Sequence, residues 1–195
     1  MSYYCRQVLW LINFDKDLNM SNSTYIFSDV EMEHIEHLRQ WAAERGILDA
    51  ANTMKQLGKT SEELKELAAA TLKGDFNGTL DAIGDVWVTL IIGALQNNFE
   101  FSKDEGFQDA FVEFDNMNVP FITFFVMALG DLNAASLRGK LTKQHYLVAL
   151  SILKTDLGCW LDDAIEMVWG VISKRTGKTV NGVFIKEEDL TGGNL

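Results

Sequence analysis

An all-α helical bundle in one domain is the fold this 195-residue sequence predicts, and three observations predict it. Apolar residues recur at three- and four-residue spacing along most of the chain. Proline, which interrupts helices, occurs once, at Pro120. A hydrophobic share of 47% is enough at this length to bury one full core.

Residues 1–28 are ambiguous between a helix and a short strand, and read as an N-terminal extension. The run Val8-Leu9-Trp10-Leu11-Ile12 is too short to cross a bilayer and is soon followed by Asp15, Lys16 and Asp17. No small-residue cleavage pattern follows it, so no signal peptide is expected. From Asp29 to Arg45, Val30, Ile35, Leu38, Trp41 and Ala42 mark an amphipathic helix stopped at Gly46. A short helix from Asp49 to Leu57 leads to a pair of acidic helices, with Ser61 or Thr79 as candidate N-caps. Lys73 to Thr79 carries two glycines and an asparagine, and reads as the turn between the pair. Further helices are expected at 104–116, 120–138, 142–157 and 159–175, the second opening at Pro120. Its apolar run from Val119 to Leu132 is also short of a membrane span. Only Thr179 to Leu190 looks extended, with Asn181-Gly182 as a hairpin turn.

The acidic pair carries the chemistry. Glu62 and Glu66 stand four apart, Glu63 and Glu66 three apart, and Asp81 and Asp85 four apart, so each set shares one helix face. Leu64, Leu67 and Ala68 flank the first set; Ile83, Val86, Leu90 and Ile91 flank the second. The acids thus lie beside the core-facing stripe, where a carboxylate is costly unless paired or coordinated. If the helices form an antiparallel hairpin, five carboxylates face one another and suit a divalent metal. The same spacing also suits a solvated face paired with Lys65, or acids drawn to a helix N-terminus.

Composition bounds the partners. Seventeen Lys and Arg against 28 Asp and Glu give a net charge of -11, which disfavours nonspecific binding to nucleic acid or an anionic membrane. Cys5 and Cys159 lie far apart without metal-ligand spacing, as expected of free thiols in a reducing cytoplasm. His34 and His37 share a helix face but lack a third ligand, and His145 stands alone. No Ser, Cys and His arrangement indicates a covalent nucleophile, and Gly130 and Gly139 form no phosphate loop.

The segments WAAERG (41–46), QLGK (56–59), SEELKEL (61–67) and DAIGDVWVTLI (81–91), closing with ISKRTGKTVNGVFIKEEDL (172–190), resemble the MazG-like nucleotide pyrophosphohydrolases, in particular their phage-borne branch. The likeness covers residues 38–96 and 157–190 in the same order. It implies an all-α bundle of that type with a short extended C-terminal arm, usually a homodimer or higher homo-oligomer. It further implies Mg²⁺, with Mn²⁺ as an alternative, and cleavage of a nucleoside triphosphate to monophosphate and pyrophosphate. Glu62, Glu63 and Glu66 match the E-E-x-x-E half of the family motif, and Asp85 matches the aspartate closing its other half. Where the family places a glutamate three residues earlier, this chain has Ala82, with Asp81 beside it. One residue turns a side chain by about 100° around a helix, so Asp81 meets an ion from another direction or the site holds fewer ions.

On this resemblance Glu63, Glu66, Asp81 and Asp85 are candidate metal ligands, and Glu62 a ligand or the general base; Glu62 and Glu63 form the catalytic pair. Lys59, Lys174, Arg175, Lys178 and Lys186 are candidate phosphate partners. Trp41, Trp87 and Asn181 are candidates to frame the base, although aromatics at helical spacing also serve as core. Residues 98–156, between the matching blocks, are expected to add helices that complete the bundle or extend a subunit interface. The expected activity is pyrophosphohydrolysis of an NTP or dNTP, or of a narrower substrate such as dUTP, dCTP or a guanosine alarmone. The contrasting expectation is a non-catalytic helical protein that binds nucleotide or a host protein.

Overall fold

A computed structural model describes residues 23–49, 52–107, 121–180 and 183–187. Expectations for residues 1–22, Pro120 and the Asn181-Gly182 turn lie outside the described residues. The described fold is an all-α bundle: β1 (Ser23–Ile26), α1 (Asp29–Glu44), α2 (Thr53–Lys73), α3 (Phe76–Gln96), β2 (Asp104–Phe107), α4 (Phe121–Leu137), α5 (Lys143–Ile172), β3 (Gly177–Val180) and β4 (Val183–Lys186).

Local chemistry sets the helix ends. Ser28 caps α1 by accepting from the Glu31 amide, while the Glu31 carboxylate accepts from the Ser28 amide at 2.8 Å. Gly46, at φ 66°, ends that helix as expected. Asn52 caps α2, whose end is Gly74 in the left-handed region at φ 69°. Asp75 then caps α3 by accepting from the Gly78 amide at 3.0 Å. The reversal between the acidic helices therefore occupies only Gly74 and Asp75.

α3 is the central helix, packed against α2, α5 and α1. Ile83, Val86, Trp87, Leu90, Ile91 and Ala94 are fully buried along it. It is long and apolar enough to cross a bilayer by length and composition, yet most of that stretch is buried inside the bundle. A Cβ at Gly84 would stand 2.5 Å from the Ala164 carbonyl oxygen and 2.5 Å from Val168 Cγ2. The bare glycine lets α3 and α5 approach closely at that level. α4 packs on α5 and α2.

Four expectations are corrected. The short helix at 49–57 is the opening of α2, which runs unbroken from Thr53 through the acidic cluster. Ser61 and Thr79 are therefore not caps: inside helices, their hydroxyls donate to the carbonyls of Leu57 and Asp75 four residues back. The helices at 142–157 and 159–175 are one, because Gly158 sits within α5 while buried Leu153, Leu157 and Leu161 keep a single apolar stripe in phase. The helix expected from 104 begins instead as β2, antiparallel to β1 with Ser23 opposite Phe107 and Ile26 opposite Asp104. Buried Tyr25 and Phe27 alternate with exposed Ile26, a period of two that anchors this ribbon. The C-terminal arm is extended, as expected, and Val180 pairs with Val183 across a two-residue connection.

Candidate metal and phosphate site

The hairpin of α2 and α3 brings the two acidic sets to the same side of the bundle. On α2 the buried stripe is Leu57, Thr60, Leu64 and Leu67. Glu63 stands at the edge of that stripe, with its side chain 13% exposed, while Glu62 points outward at 64%. On α3, Asp81 is exposed and Asp85 half-buried, on the side left open before the helix sinks into the core. Ala82 faces inward and is 4% exposed.

Asp85 feels three of the other four acids. Burial, and then the charges of Glu63, Asp81 and Glu66, push its carboxyl up to about 6, against an opposing pull from Arg175. Burial likewise raises Glu63, with the Lys59 ammonium opposing and Glu66 and Glu62 adding to the rise. Glu62 is lowered by its hydrogen bond from Lys59. Lys59 Nζ lies 2.8 Å from Glu62 Oε2 and 3.6 Å from Glu63 Oε1, one turn away on α2.

The donor set is all carboxylate oxygen, which suits Mg²⁺ or Mn²⁺ rather than a thiolate- or imidazole-seeking metal. Among the described residues, no three Asp, Glu, His or Cys side chains stand together in an arrangement that could hold a metal ion without moving. Bare carboxylates repel one another, and Lys59 draws Glu62 and Glu63 toward itself.

Of the expected phosphate partners, Lys59 and Arg175 act on the acidic cluster. Lys174 is exposed just past the end of α5, and Lys178 is exposed on β3. Lys186 ends β4. The base-framing expectation changes. Trp87 is wholly buried in the core and presents no face to a ligand. Trp41 is also buried, its ring packed against Phe184 at 5.5 Å and covered by the Arg45 guanidinium at 4.8 Å. Asn181 lies outside the described residues.

Sequence reasoning missed two organising residues. Gln56 Nε2 donates to the Thr89 carbonyl at 2.9 Å and ties α2 to α3 above the acids. Arg45 donates through Nε and Nη2 to the Arg175 carbonyl. Both fall inside segments that carry the resemblance, but their partners lie far along the chain and no local spacing announces them.

No family model matches this chain, and no solved structure matches it. A curated relative, an uncharacterized 18.2 kDa protein in the rep-hol intergenic region of Haemophilus phage HP1 (strain HP1c1), is 33% identical over 66 residues. That stretch is 34% of this chain and 40% of the relative, so the chain matches less than half the length of this phage protein.

Proposed function

We propose that this chain is a Mg²⁺-dependent nucleoside triphosphate pyrophosphohydrolase, with Mn²⁺ able to replace Mg²⁺. The observation that carries this reading is Asp85, a half-buried carboxyl raised to about 6 first by burial and then by three neighbouring carboxylates from α2 and α3. A protein that gathers acids against their mutual repulsion accepts a stability cost that a divalent cation would relieve.

In this reading Glu63, Glu66 and Asp85 hold the ion, with Asp81 as an additional ligand in place of the family's glutamate. The ion, when bound, supplies positive charge to the phosphates and acidifies a water. Lys59 and Arg175 bind phosphate oxygens, for which Lys59 must leave Glu62. Freed of Lys59, Glu62 takes the proton from the attacking water. Water oxygen bonds to the α-phosphorus, the bond to the bridging oxygen breaks, and pyrophosphate departs from the monophosphate. The substrate is an NTP or dNTP, with dUTP, dCTP or a guanosine alarmone as narrower choices. A homodimer or larger homo-oligomer belongs to the same reading, and gel filtration with light scattering tests it.

Ala82 favours a second reading, a non-catalytic protein that binds nucleotide or a host protein. It is buried where the family it resembles has an acid. Pyrophosphate release from a nucleotide panel with Mg²⁺ separates the two. Turnover of at least one nucleotide supports the enzyme, whereas nucleotide binding without release across the panel supports the second reading.

A further inference from the structure

We propose that Arg45 is a positioning residue that holds the Arg175 guanidinium beside the carboxylate site. This rests on the phosphate-binding role given to Arg175 above. α5 ends at Ile172, and the chain winds on for three residues, with the Arg175 amide donating to the Ile172 carbonyl at 3.0 Å. The Arg175 carbonyl is then free of the helix, and Arg45 takes it from the end of α1. Arg45 Nε and Nη2 donate to that oxygen at 3.2 and 3.1 Å, while Nη1 donates to the Trp41 carbonyl at 3.2 Å.

The clasp is closed from the other side. Thr179 Oγ1, on β3, donates to the Arg45 carbonyl at 2.7 Å. Trp41, beneath the Arg45 guanidinium, packs against Phe184 on β4. The Arg45 side chain is only 16% exposed and also pairs with Glu44 at 3.4 Å. One arginine thus joins α1 to a segment 130 residues away. The backbone at 175 is thus gripped by both the helix end and Arg45, which fixes the root of the side chain whose charge acts on Asp85. Lysine replaces Arg45 only in part, because a single ammonium on a flexible stem lacks the planar fork that grips two carbonyls in a fixed geometry.

The test measures binding of inorganic tripolyphosphate with Mg²⁺ by calorimetry, in the wild type, Arg175→Met, Arg45→Met, Arg45→Lys and the Arg45→Met/Arg175→Met double variant. Losing a charge-assisted phosphate contact should weaken binding about tenfold or more in Arg175→Met. Arg45→Met should lose nearly as much, Arg45→Lys should recover only part, and the double variant should be no weaker than Arg175→Met alone. Amides 176–180 should exchange hydrogen faster in Arg45→Met, with those of α2 and α3 unchanged. Wild-type binding by Arg45→Met, or losses that multiply in the double variant, would overturn the proposal. If the wild type binds no tripolyphosphate, the phosphate reading fails instead. Hydrogen exchange then decides the clasp by itself, and unchanged protection at 176–180 would sink it.

Discussion

Asp85→Asn is expected to stabilise the metal-free protein. The carboxyl is raised from 3.8 to about 6 on folding, so the folded state disfavours its charged form. That penalty is absent below pH 3.8, grows between 3.8 and about 6, and is complete above 6. The gain from Asn should therefore be full at pH 7.5 and nearly gone at pH 4, read as melting temperatures of the two proteins in EDTA. With Mg²⁺ at pH 7.5 the order should reverse or the gap should close, because the variant has lost one charged ligand and gains less from the ion. Ala82→Glu makes the opposite case. It supplies the glutamate that the pyrophosphohydrolases the sequence resembles carry there but buries a charge, and should cost about 2–4 kcal/mol in urea unfolding without metal. Unchanged stability would mean that position 82 opens toward the ion after all. At this scale the acids were legible because three- and four-residue spacing is a property of any helix. Glu62 and Glu63 pair with Lys59, where the sequence alone offers Lys65. Arg175 was legible only through the resemblance, since its approach to the acids depends on how α5 ends and no local spacing announces it.

Two glycines separate close packing from mere tolerance at the scale of the elements. Gly84→Ala would drive a Cβ into backbone of α5 and should cost about 1–3 kcal/mol, moving Asp85 with it. Gly158→Ala meets only Lys154 Cγ at 3.4 Å inside a continuous helix, and should stabilise by about 0.5–1 kcal/mol. Thermal or urea denaturation checks both, and a destabilising Gly158→Ala would argue that α5 is broken there. Helix ends with a glycine or a clear cap were readable, as at Gly46 and Gly74. Ends inferred from an internal hydroxyl or glycine failed at Ser61, Thr79 and Gly158. A serine or threonine inside a helix satisfies itself on the preceding turn, and one glycine costs less than a whole apolar stripe supplies. β2 was missed because four residues with one partner strand leave almost no periodic signal.

Across the molecule, α3 does two jobs that compete. Its second half is buried all round and organises the bundle, while its first turns keep one side open for Asp81 and Asp85. The all-α class was legible from composition and periodicity, because a central helix needs a continuous apolar run and its neighbours need amphipathic ones. The proposed activity rests on the resemblance alone, since carboxylates gathered on a hairpin state a demand for positive charge and name no substrate. Whether that demand serves catalysis is settled most directly by pyrophosphate release from nucleoside triphosphates, measured with Mg²⁺ and with EDTA for the wild type and Glu63→Ala. The account predicts release by the wild type that needs Mg²⁺ and a loss of at least about 100-fold in Glu63→Ala at unaltered helical content. Equal release by the two proteins, or none by a folded wild type on any triphosphate, would contradict it.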